Sequence, residues 1–486
     1  MGHRRETDVA TVQPDQLPHA PARSGFDREL ALARMHELGT DGSSSRNGCP
    51  GAEAGYASAT TTIWAATDTA GPAALLGYAG PLMEIRPIHE DEFDAFELAL
   101  SNAFGDVVVE EHYKALDRLV WEPDRTFAAF DEGRIVGCAA ADSFTSVVPG
   151  GGTVGTAGVT AVGVLPTHRR RGILTELIRR LHDQAVDRGE PIATLLASEG
   201  QIYGRFGYGL AVLDLSLDVA LDRVRWAPGS EPTGRVRFLT HDEARPHLRA
   251  VYERFAASRP GAVLPTDRQY AWLFSGITKP DEKEFVVLHE DDDGVPDAYA
   301  TYRIKHRWPS GLPSNKLTVK QLVACTPGGS TAIWRYLFDV DLVSRVRAWG
   351  RPLDDPLVWQ MAEPRALRAT VGDYLYVCPL DVSAALSARG FAADGRLVLD
   401  VRDAFRETNT GTYELIVEDG KGSCSRSDEE PDISCTIQTI GSTYLGGVSW
   451  GTLASAGRLE ARTEEAVERA DAMFRTDVAP WPIIDF

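Results

Sequence analysis

The stretch "VGVLPTHRRRGILTELIRRLHDQA", residues 162–185, joins an apolar strand pattern to a helical pattern through three consecutive arginines. Apolar side chains after the arginines recur at the spacing of an amphipathic helix, at Ile173, Leu174, Leu177, Ile178 and Leu181. Such a helix must bury its apolar face against a neighbouring layer. The stretch therefore predicts an α/β unit in which a strand, a turn and a helix follow one another.

The three arginines stand where positive charge is normally unfavourable. A helix N-terminus carries the positive end of the helix dipole, so each of Arg169, Arg170 and Arg171 costs a few tenths to about 1 kcal/mol there unless an anion is bound. The free N–H groups of the first helical turn, with Gly172 allowing close approach to the backbone, would complete a pyrophosphate site. A solvated basic cluster is the alternative interpretation.

The composition narrows the classes of function. A chain of 486 residues with 43% apolar and 25% charged residues predicts a soluble globular protein of two to four domains. Its net charge of −20 disfavours nucleic acid and anionic membranes as partners and favours cationic substrates. Six cysteines without zinc-ligand spacing predict reduced thiols, a cytoplasmic location and no metal.

Pattern and composition divide the chain into four parts. Residues 1–82 are rich in Ala, Gly, Ser, Thr and Pro and predict a disordered extension. Residues 83–228 contain the arginine turn, and residues 229–368 repeat its layout with "CTPGGST" in place of "LPTHRRRG". This second unit is therefore predicted to keep the fold and to lose the anion site. Residues 369–486 predict an α+β layer that ends in an apolar tail, "APWPIIDF", which should dock.

The arginine turn resembles the coenzyme A motif of the GNAT acetyltransferase superfamily, although Leu174 stands where that motif has a small residue. A closer resemblance is to the Eis (enhanced intracellular survival) family of aminoglycoside N-acetyltransferases. It is carried by "TAVGVLPTHRRRG", "ASEGQIYGRFGYG", "LFDVDLVSRVRAWGRPLDDPLVWQ", "DYLYVCPLDVSAALSARGF" and the terminal Phe486. The resemblance implies two tandem GNAT domains, the second degenerate, then a sterol-carrier-protein-like domain, assembled as a homo-hexamer.

The resemblance also implies roles for individual residues. It implies that acetyl-CoA is bound by Val162, Val164, Arg169, Arg170, Arg171, Gly172, Ile173 and Ser198. Tyr203 matches the general acid, and the α-carboxylate of Phe486 matches the general base. Asp485 is an alternative base or an anchor for a cationic substrate, and a purely structural docked tail is a further alternative. Tyr208, in "FGYG", suits turn packing better than catalysis.

The implied reaction is acetyl transfer from acetyl-CoA to amines of a polycationic, aminoglycoside-like molecule, at several positions. Two other functions stay open at this point. One is acetylation of lysine side chains in proteins. The other is a non-catalytic scaffold that binds coenzyme A or lipid, although a scaffold would not need a general acid.

Overall fold

A computed structural model describes residues 83–105, 111–276 and 283–486. The predicted N-terminal extension, residues 1–82, lies outside the described residues. Within the described ranges, no helix has the length and apolar character needed to cross a membrane. The five described cysteines are free thiols.

The first unit begins one residue after Met83. Its elements, in chain order, are β1 Glu84–Pro87, α1 Phe93–Phe104, α2 Glu111–Val120, β2 Thr126–Asp131, β3 Arg134–Val147, β4 Thr153–Val164, α3 Ile173–Asp187, β5 Ile192–Leu196, α4 Gly200–Tyr203 and β6 Gly209–Ala220. The residues Asp131-Glu132-Gly133 favour a turn, so the segment "FAAFDEGRIVGCAAADSF", residues 127–144, predicts a hairpin. The hairpin between β2 and β3 is confirmed, since Glu132 and Gly133 both have positive φ, as a two-residue turn of this kind requires.

The glycine-rich segment "PGGGTVGTAG", residues 149–158, predicts a mobile loop by its composition, and this prediction is wrong for residues 153–158. Strand β4 already begins at Thr153. A Cβ atom on Gly158 would lie only 2.2 Å from the ring of Phe144. Glycine stands there because an aromatic ring on β3 packs directly against the backbone of β4. In the sequence, glycines that serve such packing cannot be distinguished from the glycines of a loop.

The second unit repeats the strand, turn and helix order. Its elements are β7 Arg235–Leu239, α5 His241–Ala256, β8 Val263–Leu264, α6 Asp267–Leu273, β9 Glu284–Glu290, β10 Pro296–Lys305, β11 Asn315–Ala324, α7 Pro327–Phe338, β12 Val343–Pro352 and α8 Leu357–Gln360. Helices α5 and α6 begin at capping boxes, in which Thr240 pairs with Glu243 and Thr266 with Gln269.

The last part of the chain contains β13 Thr370–Pro379, α9 Val382–Ala388, β14 Gly395–Arg402, β15 Gly411–Glu418, β16 Lys421–Arg426, β17 Ile433–Thr436, α10 Ile437–Thr443, α11 Trp450–Ser455, β18 Leu459–Ala461 and α12 Glu464–Phe474. The apolar pattern of "DISCTIQTI", residues 432–440, predicts one strand, but the chain changes from β17 to α10 after Thr436. A short apolar run suits either state, and tertiary packing decides between them.

Two sheets organise the described chain. The large sheet has the strand order β1-β2-β3-β4-β5-β13-β6-β12-β11-β10-β9-β7, and the small one has the order β16-β15-β14-β17-β18. Strand β13 was predicted to belong to the C-terminal unit, but it pairs antiparallel with β5 and β6 in the large sheet. A buried strand reads as an apolar run whichever sheet contains it, so the sequence does not identify its neighbours.

Both GNAT-like units contain a pair of parallel strands that separate part of the way along. Strands β4 and β5 pair only from Thr156–Ile192 to Gly158–Thr194. Strands β11 and β12 pair only as far as Val319–Ala348. We call the gap between residues 159–164 and 195–198 the first notch. The gap between residues 320–324 and 349–352 is the second notch.

Candidate functional site

The arginine turn forms the outer end of the first notch. Gly172 precedes α3 with a left-handed φ of 82°, which explains glycine at this position. No side chain caps the helix, so its first-turn N–H groups remain available to an anion. The Arg169 guanidinium donates to the Val164 carbonyl oxygen at 3.2 Å, and the Arg171 guanidinium donates to that of Thr167 at 3.1 Å.

The edge of β4 presents backbone donors to the first notch. The Leu165 amide donates to the Val136 carbonyl oxygen on β3 at 2.9 Å. Because successive amides of a strand point in opposite directions, the amides of Val164 and Val162 point away from β3, into the notch. Strand β4 bulges at Ala161, which lies between Thr160 and Val162 and has a φ of 53°.

A cavity of about 360 Å³ opens from the first notch toward the second unit. It is lined by five residues singled out from the sequence, namely Val162, Ser198, Tyr203, Asp485 and Phe486. Val164 and the residues of the arginine turn are not among its lining residues. They lie farther along the notch, at the start of α3. The predicted residues thus divide into an inner group at the cavity and an outer group at the helix N-terminus.

Tyr203 presents a protonated phenol to this cavity. Its side chain is buried at the end of α4, and burial raises its pKa to about 12, with the Glu199 charge adding to the effect. No described residue forms a hydrogen bond with the Tyr203 hydroxyl. Tyr208 packs edge-on against it, with ring centroids 6.0 Å apart, and bonds its own hydroxyl to His182 at 3.0 Å. Tyr208 is therefore a packing residue, as predicted.

The C-terminal tail docks at the cavity that Tyr203 also lines, as its apolar sequence predicted. Ile483 and Ile484 are buried, and the Phe486 ring lies edge-on to Phe144 with centroids 4.8 Å apart. Phe144 is the ring that packs on Gly158, so β3 and β4 together form the surface that receives Phe486. The sequence contained no signal for this contact.

Asp485 belongs to a buried acidic cluster that sequence reasoning found only in part. The Tyr374 hydroxyl donates to Asp485 Oδ1 at 2.5 Å. Burial raises the pKa of the Asp485 carboxyl, although the Tyr374 hydrogen bond and the Lys320 charge oppose the rise. Burial also raises the pKa of Asp214, despite a hydrogen bond from the Gly350 amide, and the Asp485 charge adds to it.

The far wall of the cavity comes from the second unit and was missed from the sequence. It includes Trp272, Glu284, Arg303, Gln321 and Trp349. These residues lie on five separate elements, α6, β9, β10, β11 and β12, and only the tertiary structure brings them to the arginine-turn unit. Among the described residues, no group of three potential metal ligands occurs.

The second unit fills the equivalent helix N-terminus with its own groups. The Thr326 hydroxyl accepts a hydrogen bond from the Gly329 amide at 3.0 Å and donates to the carboxylate of buried Asp297. A Cβ atom on Gly329 would lie 2.9 Å from Asp297 Oδ1. A carboxylate of the chain therefore occupies the side of α7 that would otherwise attract an anion.

Comparison with known proteins supports the same division. Models described as acetyltransferase (GNAT) domain match residues 84–211 and 265–377, and one described as sterol carrier protein domain matches residues 382–482. The second GNAT match thus includes most of β13. The residue boundaries predicted from the sequence stay predictions, while the three-domain architecture is confirmed.

Individual relatives cover nearly the whole described chain. An uncharacterized N-acetyltransferase of Streptomyces avermitilis is 36% identical over 82% of this chain and 98% of its own. The N-acetyltransferase Eis of Mycobacterium tuberculosis is 33% identical over the same shares. The crystal structure of Eis1 from Mycobacterium abscessus superposes with a TM-score of 0.72 at 31% identity, covering 83% of this chain and 100% of that one. The chain belongs to the Eis family of GNAT N-acetyltransferases.

Proposed function

We propose that this N-acetyltransferase transfers the acetyl group of acetyl-CoA to several amines of aminoglycoside-like polycationic molecules. The observation that carries the proposal is the shared cavity of Tyr203 and Phe486. A phenol held in the protonated state and a chain-terminal residue line one space, next to unpaired amides at the edge of β4. A binding scaffold needs no such pair.

The residues of the first notch suit acetyl-CoA. The amides of Val162 and Val164 would bind the pantetheine arm, and the Ser198 hydroxyl would bond the same arm near the cavity. The pyrophosphate would take the amides of Arg169–Gly172 and Ile173 together with the arginine charges. This arrangement gives the arginines at the helix start a stabilising partner.

In the proposed reaction, the acceptor nitrogen attacks the thioester carbonyl carbon and the C–S bond breaks. The attacking group is the neutral amine. Tyr203 donates its proton to the leaving sulfur, and the Phe486 α-carboxylate accepts the proton that the amine nitrogen loses as the amide forms. Asp485, one residue earlier, would attract a cationic acceptor into the cavity or share the base role. Return of the proton to Tyr203 through solvent completes the cycle.

The net charge of the chain, −20, supports a polycationic acceptor. Three acidic and three basic side chains line the cavity, namely Asp117, Glu284, Asp485, Arg303, Lys320 and Arg351. Several carboxylates allow different amines of one molecule to be presented in turn. We further propose a cytoplasmic location, in agreement with the free thiols, and a homo-hexamer, in agreement with membership of the Eis family.

Thiol release from acetyl-CoA tests the proposal. We expect release with kanamycin-type aminoglycosides, several acetyl groups per molecule by mass spectrometry, and little release with a histone peptide or without acceptor. Faster release with the peptide would favour protein lysine as the acceptor. Release no faster than the blank with every amine would favour the coenzyme A or lipid scaffold.

The arginine turn gives a second testable prediction. Arg170→Gln with Arg171→Gln should weaken coenzyme A binding about tenfold or more, with an effect that shrinks at high salt, because charge-assisted contacts to the pyrophosphate are lost. The thermal midpoint of the free protein should not fall, because positive charge at this helix end is unfavourable without ligand. Calorimetric titration and thermal unfolding measure the two quantities.

The same helix provides the matched control. Arg179 and Arg180 are exposed and pair with Glu176 at 2.7 and 2.9 Å, away from the helix N-terminus. Their double replacement by Gln should leave coenzyme A affinity unchanged. Equal losses of affinity in the two double variants would mean that only the general charge of the helix matters, and would remove the pyrophosphate role from the turn.

A further inference from the structure

A side chain of the second unit bridges the second notch. Arg351 on β12 is buried and donates to the Leu322 carbonyl oxygen on β11 at 2.6 Å. Its Nε atom donates to Asp355 at 2.9 Å. The guanidinium thus bridges the two strands where their own pairing has ended, and it divides the gap that corresponds to the first notch. Residues of this gap line the cavity of about 360 Å³ and also a second cavity of about 200 Å³, which Arg351 and Trp481 border.

Trp481, from the C-terminal tail, packs on the Arg351 guanidinium. Its ring centroid lies 5.0 Å from the Arg351 guanidinium carbon, and its indole Nε1 donates to the Gly350 carbonyl oxygen at 2.6 Å. The side chain is buried. A tail residue from the end of the third domain therefore occupies the second GNAT domain beside its lost cofactor slot.

The backbone around Trp481 is held by the same domain. The Trp481 amide donates to the Pro260 carbonyl oxygen at 2.8 Å, and the Val263 amide donates to that of Pro482 at 3.2 Å. The Arg259 guanidinium donates to the Ala479 carbonyl oxygen at 2.7 Å. A tail normally frays unless it is fixed in this way.

Gly350 links the Trp481 side chain to the cavity that Tyr203 and Phe486 line. It accepts the Trp481 hydrogen bond, while its amide donates to Asp214 at 2.9 Å. Its φ is 63°, and a Cβ atom there would lie 2.8 Å from the Tyr374 hydroxyl oxygen, which bonds Asp485. Five residues after Trp481, beyond a left-handed Ile483 with a φ of 74°, the chain ends at Phe486 in the cavity wall.

We infer that the second GNAT domain has converted its cofactor slot into a seat for the C-terminal tail. In this seat, Arg351 and Trp481 are positioning residues that hold the Phe486 carboxylate in the cavity of the first domain. The inference gives a role to the second domain, which has no anion site: it positions the C-terminal tail at the cavity of the first domain. Its consequence for turnover rests on the proposed function, whereas the docking itself does not.

Two conservative variants test the seat. Trp481→Phe keeps an aromatic ring but loses the hydrogen bond to Gly350, and Arg351→Met keeps an unbranched side chain but loses the bridge to Leu322. The matched control is Trp450→Phe, because Trp450 is fully buried in the third domain and its indole nitrogen has no partner there. Loss of general stability would affect all three variants alike.

The first readout is independent of activity. Carboxypeptidase A should release Phe486 about tenfold faster from Trp481→Phe and from Arg351→Met than from the unmodified chain or Trp450→Phe, by mass spectrometry. Equal release rates in all four proteins would overturn the seat. Because this assay needs no substrate, it separates failure of the seat from failure of the proposed reaction.

The second readout is a double-variant comparison. Trp481→Phe should lower kcat about tenfold with coenzyme A affinity unchanged, and should lower it no further in a chain that lacks Phe486. An additional loss in the shortened chain, or the same loss of kcat in Trp450→Phe, would show that Trp481 acts through general packing and would contradict the positioning role.

Discussion

Replacement of Tyr203 by Phe is expected to lower kcat about 100-fold or more, because a general acid contributes roughly 10² to 10⁴ in rate. The affinity for coenzyme A should change little, since the phenyl ring stays in place and only the proton donor is lost. The pKa of about 12 keeps the phenol protonated, so turnover of the unmodified enzyme should not decline on the alkaline side below about pH 10. Steady-state kinetics and calorimetric titration check these expectations.

Tyr208→Phe is the matched control for Tyr203. It removes a second buried hydroxyl of the same turn, one that bonds His182 and faces the core. This change should reduce thermal stability and leave kcat nearly unchanged. If Tyr203→Phe kept most of the wild-type kcat, another group would have to protonate the leaving sulfur.

Addition of a single glycine after Phe486 is the change with the second-largest expected effect. The extension moves the α-carboxylate by about 3.5 Å, beyond its position in the cavity wall, while the apolar tail can still dock. We expect kcat to fall about 100-fold, with coenzyme A affinity unchanged, because a misplaced base loses its contribution to the proton transfer. Initial-rate measurements with a saturating aminoglycoside check this expectation.

The control for the terminal carboxylate is Phe486→Leu, which keeps the carboxylate and removes the ring contact with Phe144. It should cost much less in kcat than the glycine extension. Full activity of the extended chain would exclude the terminal carboxylate as the base, and Asp485 would then become the leading candidate. Asp485→Asn in the extended chain would test this alternative, since it should abolish turnover only if Asp485 acts as the base.

Local patterns explain why so much of the fold could be predicted. The hairpin at Glu132 and Gly133, the arginine turn before α3 and the repeat at β11 and α7 each depend on neighbours in the sequence. Errors arose where a residue's role depends on a distant partner. Gly158 looked like part of a loop because its partner is the Phe144 ring, and the place of β13 in the large sheet could not be predicted because its partners, β5 and β6, are distant in the sequence.

The candidate site shows the same difference. Tyr203 and Phe486 could be selected because short motifs mark them, but their distance in the chain gives no information on whether they meet. Tyr374, Gly350 and Trp481 lie in stretches that the sequence analysis singled out, but no role could be assigned to them individually. Their importance comes from hydrogen bonds between residues more than 100 positions apart. Hydrogen bonds between such distant residues cannot be predicted from hydrophobic periodicity or from turn residues.

By itself, the sequence determined the family, the three-domain order and the identity of the chemical groups. These are properties of local residue order, because a helix start, a turn or a motif needs only adjacent side chains. Only the tertiary structure decided that β13 pairs with two strands of the first unit, β5 and β6, and that the tail packs on the second unit before it reaches the cavity of the first. Those outcomes depend on which buried surfaces fit together, and burial is a property of the assembled chain.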